Sequence, residues 1–172
     1  MRPDVKAFFD PATSTVSYLV WDAKTKAAAI IDPVLDFDPA AAHLSTASAD
    51  NQLAAVRSLG LDLLYVLETH AHADHLTAAS YIKARTGAQV VIGRRIAEVQ
   101  ETFRAVFEMD QADIKGAAFD VLLSEGDTLP LGELTLSVLD TPGHTSADLT
   151  YLIGDAAFIG DTLFMPDYGT AR

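Results

Sequence analysis

The stretch Glu68–Ala79, with the sequence ETHAHADHLTAA, concentrates side chains that can bind metals. It places three of the chain's five histidines, together with Asp74, within the six positions from His70 to His75. Desolvating so many ionisable groups is costly unless a cation compensates them, so the cluster predicts a metal site. The alternative is that these residues are solvated loop groups, or caps of a helix that begins near Asp74.

The segments on either side of the motif predict where it lies. Residues 61–68, LDLLYVLE, form a continuous apolar run bounded by charge, which is typical of a strand buried on both faces. Residues 74–87 have a helical pattern that ends at Gly87. The motif therefore lies in a strand-to-helix loop, where open α/β sheets commonly carry their ligands.

The rest of the chain predicts a layered α/β fold with helices outside two sets of strands. Short apolar segments separated by turn residues predict the strands, and the first three follow one another as a meander. The expected strands are 5–10, 15–22, 27–32, 88–93, 119–124, 128–140, 149–154 and 156–161. One further helix is expected from Ser48 to Gly60, and another over residues 94–110, whose apolar stripe predicts one buried face.

Composition and charge exclude several classes of partner. The 172 residues carry 12 Lys and Arg against 24 Asp and Glu, a formal net charge of −12, which would repel nucleic acid and anionic membranes. No apolar run approaches the length of a membrane span, and the amino terminus lacks a secretory signal, so a cytoplasmic protein is expected. The chain has no cysteine, so any metal must be held by nitrogen and oxygen.

Two later loops carry further side chains of the ligand type. His144 follows a predicted strand in TPGHT, residues 141–145, and Asp161 ends another in GDTLF, residues 160–164. Each alone is more often an ordinary loop or turn residue. A metal needs ligands from separate segments, however, so both residues are expected at the site. His43 has no other ligand-type residue of this kind near it in the sequence, so no role is assigned to it.

The motifs THAHADH, TPGHT and GDTLF together resemble the metallo-β-lactamase-fold superfamily, whose most specific mark is H-x-H-x-D-H. Three longer segments resemble sequences of the persulfide dioxygenase branch: DPVLDFD, VIGRRIAEVQ and GDTLFMPDYGTAR. This branch is related to glyoxalase II and includes bacterial β-lactamase-like hydrolases. The resemblance implies an α/β fold, the αββα sandwich. Superfamily domains are usually longer, so residues 1–172 are expected to be the amino-terminal part of one, with a carboxyl-terminal portion missing.

The resemblance further implies a persulfide dioxygenase that oxidises glutathione persulfide with O₂ to sulfite and glutathione, a step of sulfide detoxification. One Fe(II) per chain would be held by the residues that match the two-histidine, one-carboxylate triad, His72, His144 and Asp161. The motif's other polar residues would orient these ligands: His70, Asp74 and His75. Arg172 and Tyr168 are expected to contact the substrate, Arg172 by recognising a carboxylate of glutathione. A solvated terminal Arg172 is the alternative.

Two other functions stay open at this point. A zinc hydrolase of the glyoxalase II or lactonase type would use the same residues to hold two metals, with Asp161 between them. The two sets of ligands would be His70, His72 and His144 for the first metal, and Asp74 and His75 for the second. That site also needs a later histidine, and none follows His144. The second alternative is a non-enzymatic sensor or binding module stabilised by metal. The oligomeric state is not fixed by the sequence, and a homodimer is compatible with it.

Overall fold

The computed structural model describes residues 1–108, 118–165 and 167–170, which form a mixed set of strands and helices. The strands are β1 (Asp4–Asp10), β2 (Thr15–Trp21), β3 (Ala27–Ile31), β4 (Val34–Asp38), β5 (His43–Ser45), β6 (Asp62–Leu67), β7 (Leu76–Thr77), β8 (Gln89–Gly93), β9 (Val121–Leu123), β10 (Thr128–Leu131), β11 (Leu134–Asp140), β12 (Leu149–Ile153), β13 (Ala156–Phe158), β14 (Leu163–Met165) and β15 (Tyr168–Gly169). The helices are α1 (Ala47–Ser58), α2 (Ala79–Thr86) and α3 (Ile96–Phe107), and Gly160–Thr162 form a turn of 3-10 helix. Each segment that the sequence predicts to be a strand contains one, except that residues 128–140 form two, β10 and β11, and β4, β5, β7, β14 and β15 are additional.

The first sheet joins the opening meander to a set of parallel strands. Its order is β1-β2-β3-β6-β8-β9, with antiparallel pairing from β1 to β3 and parallel pairing from β3 onwards. Parallel neighbours need crossover connections, and α1 and α2 lie in the two crossovers that lead to β6 and β8. Because β3 and β6 run in parallel, Asp32 and the histidine motif, which follow them, lie at the same edge of the sheet.

Strand β3 shows why the centre of this sheet is apolar throughout. Ala29 and Ile31 belong to a buried cluster shared with the second sheet, whereas Ala28 and Ile30 belong to the cluster under the helices. Successive side chains of a strand point to opposite faces, so a strand covered on both faces has no position for a polar residue. The same reason explains the continuous apolar run of β6.

The second sheet, β10-β11-β12-β13, is antiparallel and packs against one face of the first. The cluster between the sheets takes buried side chains from both, among them Leu67, Val91, Leu136, Tyr151 and Ile153. On the other face of the first sheet, Leu53 of α1 and Ile82 of α2 belong to the second cluster. These layers match the α/β sandwich that the sequence predicts.

Helix α2 begins later than the local pattern suggests. Residues 74–87 form one helical pattern, but Leu76–Thr77 form β7, which pairs with β4, and the helix begins only at Ala79. The pairing with β4 is a long-range contact that a local periodicity cannot reveal. Gly87, with φ of 76°, ends the helix as predicted, because a residue without Cβ adopts the left-handed conformation at little cost.

The described side chains of the apolar stripe of α3 range from buried to exposed. Ile96 is 3% exposed, whereas Phe103 is 47% and Val106 is 68% exposed, so the buried face expected from the sequence holds at Ile96 but not at these two residues. Over the residues that the structure describes, no helix combines the length and apolar character needed to cross a membrane.

Candidate metal centre

The histidine motif is fixed at the edge of the first sheet by hydrogen bonds to β12. The Tyr151 hydroxyl donates to the carbonyl oxygen of Glu68 at 2.9 Å, and the Leu149 N–H donates to the carbonyl oxygen of Thr69 at 3.1 Å. Burial raises the pKa of the Tyr151 hydroxyl well above its ordinary value, so this group is a neutral donor. The second sheet therefore holds the start of the motif, and its own loops reach the same edge.

Three ligand atoms from three separate loops converge at this edge. The Nε2 atom of His144 lies 3.4 Å from Oδ2 of Asp161, and the Nε2 atom of His70 lies 3.8 Å from the same oxygen. The ligand atoms of the three residues all lie within 4.8 Å of one another. Metal bonds to imidazole nitrogen and carboxylate oxygen are about 2.0–2.2 Å long, so one ion between the three side chains could reach all of them after small adjustments.

His70 carries the observation that fits a bound cation best. Its side chain is 1% exposed, and its Nε2 atom is buried without a hydrogen-bond partner in the described part of the chain. Burial lowers the pKa of His70, which favours the neutral imidazole that a metal requires. An unpaired buried nitrogen costs about 1–3 kcal/mol, and a metal bond removes that cost. The side chains of His144 and Asp161 are 30% and 31% exposed, so the group opens to solvent on one side.

The ring of His72 lies 4.1 Å from that of His70, but its Nε2 atom is turned towards two buried carboxyl groups. Its Nε2 atom is 3.1 Å from Oδ1 of Asp32 and 3.3 Å from Oε2 of Glu68. Burial by itself lowers the pKa of His72, but its contacts with the two carboxyl groups raise it to about 10. Burial also raises the pKa of Glu68, whereas hydrogen bonds outweigh burial at Asp32 and lower its pKa. Nε2 of His72 therefore donates a hydrogen bond to the Asp32 carboxylate.

The structure brings a ligand atom of His70, and not of His72, within 4.8 Å of those of His144 and Asp161, so the group that converges differs from the triad expected from the sequence. The spacing of two residues predicts side chains on one side of the chain only where the backbone is extended. Here the chain leaves β6 and bends at Thr69 and His70, so no extended strand holds the two side chains in the same direction, although their ring centroids lie 4.1 Å apart. Among the described residues, His70, His72 and His144, the grouping expected for one metal of a dinuclear site, do not form a group of converging ligand atoms.

A second group of ligand atoms lies further along the motif. His72, Asp74 and His75 bring one ligand atom each within 4.8 Å of the others, and the rings of His72 and His75 stack at 4.2 Å. The Nδ1 atom of His75 donates to the carbonyl oxygen of Leu76 at 3.1 Å, which leaves its buried Nε2 atom without a partner among the described residues. Asp161 belongs to the first group and is not a member of this one.

The sequence of the chain matches one protein family across all of these residues. The match is to the metallo-beta-lactamase superfamily and covers residues 10–171. The chain belongs to this superfamily. Its membership, together with the two groups of histidine and aspartate at one edge of the sheet, indicates a metal cofactor.

The relatives within the superfamily include proteins named as hydrolases and proteins named as persulfide dioxygenases. The chain is 49% identical to a probable metallo-hydrolase of Burkholderia pseudomallei over 98% of its length, and 33% identical to the mitochondrial persulfide dioxygenase ETHE1 of mouse over 96%. Among solved structures, ETHE1 from Myxococcus xanthus superposes on 98% of the chain with a TM-score of 0.72 and 32% identity. The chain spans 61%, 54% and 64% of these three proteins respectively.

Tyr168 and Arg172 are the two residues expected to contact substrate. Tyr168 lies in β15, which pairs with β14 directly after Asp161, and it is 67% exposed. Its ring stacks on that of Phe164 with 6.0 Å between the centroids. Arg172 lies outside the described residues.

Sequence reasoning missed three buried polar residues that surround the metal groups of this superfamily member. Asp32 follows β3 directly and contacts His72, while Glu68 and Thr69 follow β6. The signal was present in the sequence, because an acidic residue directly after a buried apolar strand lies at the carboxyl edge of the sheet, where ligands bind. Asp32 also has φ of 49°, a conformation that a residue with a side chain adopts at some cost and that is common at functional sites.

Proposed function

We propose that the chain is the metal-binding domain of a persulfide dioxygenase, with one Fe(II) held by His70, His144 and Asp161. The observation that carries the proposal is the convergence of two imidazoles and one carboxylate, with the buried Nε2 atom of His70 unpaired. This is the donor set of the non-haem iron oxygenases, which leaves coordination positions free for substrates. The likeness to the ETHE1 persulfide dioxygenases supports the choice within the family.

The proposed reaction takes glutathione persulfide, O₂ and water to glutathione, sulfite and protons. The terminal sulfur of the persulfide is oxidised, O₂ is reduced, and the sulfur–sulfur bond breaks so that glutathione leaves as a thiol. Bound Fe(II) would supply the site at which the persulfide sulfur and O₂ meet.

The chain's own residues would hold the metal from a buried side and leave an open side for substrate. His70 lies on the buried side and anchors the group, while His144 and Asp161 lie on the side open to solvent, from which a substrate can approach. Tyr168, exposed on the hairpin that follows Asp161, is proposed to line the path of the glutathione moiety. Arg172 is proposed to bind one of its carboxylates through paired N–H donors.

A dinuclear zinc hydrolase is the second candidate, and a specific observation favours it. The group formed by His72, Asp74 and His75 contains a second buried and unpaired nitrogen, Nε2 of His75. The relative at 49% identity is named as a metallo-hydrolase. Nε2 of His72 contacts Asp32, which leaves Nδ1 as the ring nitrogen that a second metal would take in this candidate.

Oxygen uptake tests the two candidates directly. The protein is loaded anaerobically with Fe(II), and O₂ consumption and sulfite are measured after addition of glutathione persulfide. Uptake with sulfite formation that His144→Ala abolishes supports the dioxygenase, and His43→Ala, which alters an exposed histidine outside both groups, serves as the control. No uptake by the iron-loaded protein, together with hydrolysis of S-lactoylglutathione by the zinc-loaded protein, would replace this proposal with the hydrolase.

A further inference from the structure

A continuous chain of buried hydrogen bonds leads from Asp32 to the imidazole of His70. The Thr69 backbone N–H donates to Oδ1 of Asp32 at 2.8 Å, and the Thr69 hydroxyl donates to Oδ2 at 2.9 Å. The same hydroxyl oxygen lies 2.9 Å from Nδ1 of His70. Asp32, Thr69 and His70 are 5%, 1% and 2% exposed, so solvent does not compete for these bonds.

The direction of these bonds follows from counting protons. A threonine hydroxyl carries one hydrogen, and here the Asp32 carboxylate, which can only accept, takes it. The oxygen of Thr69 must then act as the acceptor for His70, which requires the proton of the neutral imidazole to be on Nδ1. Nε2 of His70 is left without a proton, and its lone pair lies on the side of His144 and Asp161.

We propose that Thr69 and Asp32 are positioning residues that select the Nδ1–H tautomer of His70 and fix the direction of its ring, so that Nε2 is ready to bind metal. The inference rests on the proposed role of His70 as a ligand. A histidine ligand commonly donates its second N–H to a carboxylate or carbonyl group. In this chain a hydroxyl is interposed, and the carboxylate acts on His70 through it.

The surroundings restrict the side chain of Thr69 on two sides. Gly160, directly before Asp161, has φ of 50°, and a Cβ atom added there would lie 2.5 Å from Oγ1 of Thr69 and 3.4 Å from Nδ1 of His70. On the other side, the Ser17 hydroxyl donates to the backbone oxygen of Asp32 at 2.7 Å and holds the end of β3. The hydrogen-bond chain therefore fills a space that is closed both by the Asp161 loop and by the first sheet.

Removal of one hydroxyl tests the proposal, with a matched variant that keeps it. Thr69→Val has nearly the same shape but no hydroxyl, whereas Thr69→Ser retains the hydroxyl. Zn²⁺ is the probe, and its affinity for the full chain is measured by competition with a chromophoric chelator. We expect Thr69→Val to weaken Zn²⁺ binding about 10–100-fold, as other losses of ligand-orienting groups do, and Thr69→Ser to restore most of it.

A second readout, in the metal-free protein, does not depend on metal or on activity. The ¹⁵N chemical shifts of His70, assigned by comparison with His70→Gln, report which ring nitrogen carries the proton. We expect protonated Nδ1 and unprotonated Nε2 in the wild-type protein and in Thr69→Ser, and loss of that preference in Thr69→Val. Protonated Nε2 in the wild-type protein would overturn the inference even if the variants failed to fold, and so would wild-type Zn²⁺ affinity in a folded Thr69→Val. Failure of the wild-type protein to bind any metal would instead overturn the proposed function, while the tautomer measurement still decides the inference.

Discussion

The Nε2 atom of His144 lies 3.4 Å from Oδ2 of Asp161, although the two residues belong to different loops of the second sheet. Both side chains are about one third exposed, at 30% and 31%, and each is turned towards the buried imidazole of His70. Two partly exposed side chains from the edge of the second sheet thus meet one that is buried, so the group is enclosed on one side and accessible on the other.

Replacement of His144 by alanine should remove the bound metal. Two of three ligand atoms are left, and the closest contact of Asp161 in the group is lost. We expect metal content after dialysis, measured by mass spectrometry of the elements, to fall from about one ion per chain to near zero. His43→Ala is the matched control, because His43 is exposed and belongs to neither group of ligands among the described residues. Retention of metal by His144→Ala would contradict the proposed ligand set.

Replacement of Asp74 by alanine should separate the one-metal site from the two-metal site. Asp74 belongs only to the second group, and its Oδ2 atom accepts a hydrogen bond from Thr15 at 3.3 Å. With one ion bound by His70, His144 and Asp161, metal content stays unchanged in Asp74→Ala and is lost in Asp161→Ala. A drop from two ions to one in Asp74→Ala would establish the dinuclear site.

Replacement of Gly160 by alanine should destabilise the fold around the metal site. The new Cβ atom would lie 2.5 Å from Oγ1 of Thr69, and the residue would have to keep φ of 50°. A residue with a side chain is strained in this left-handed conformation, and its Cβ atom would overpack the space beside Thr69. Together these two effects predict a loss of about 2–4 kcal/mol in the free energy of unfolding. Gly126→Ala is the control, since Gly126 has φ of 85° but open space around it, and only the backbone cost of about 1–2 kcal/mol applies there. Urea unfolding of both variants measures the difference, and equal losses would show that contact with Thr69 has no effect.

The buried Tyr151 should make the protein less stable at alkaline pH. Burial raises its pKa well above the ordinary value of 10.0, so the folded state holds the phenolic proton more tightly than the unfolded state. Its contribution to stability is complete below pH 10 and is lost as the pH rises towards the folded-state pKa, by about 1.4 kcal/mol per pH unit for one group. Tyr151→Phe should remove that part of the slope, at a cost near neutral pH of about 1 kcal/mol for the hydrogen bond to Glu68.

Denaturant unfolding of the wild-type protein and Tyr151→Phe between pH 9 and pH 11 measures this difference. Tyr18, whose pKa is also raised by burial, titrates in both proteins and therefore cancels in the comparison. Parallel pH profiles for the two proteins would mean that Tyr151 does not contribute to the alkaline loss.

The sequence by itself determined the strands of the two large sheets, the expectation of a metal site and the loops that carry its candidate residues. Apolar runs such as 61–68 identify strands covered on both faces, because burial requires the same kind of residue whatever the partner. His144 and Asp161 could be assigned because both follow strands, and strand ends gather at the edge of a sheet. Local spacing contains this information, so the tertiary structure was not needed for it.

Only the tertiary structure decided which histidine of the motif joins them. His70 and His72 are equivalent in spacing, and their difference arises from Asp32, which comes from another strand and holds His72 while it orients Thr69. The late start of α2 has a similar cause, since β7 pairs with β4 across the chain. Contacts between segments that are distant in sequence produce no periodic pattern in the sequence. These contacts decide which of several side chains with the same ligand chemistry joins the group.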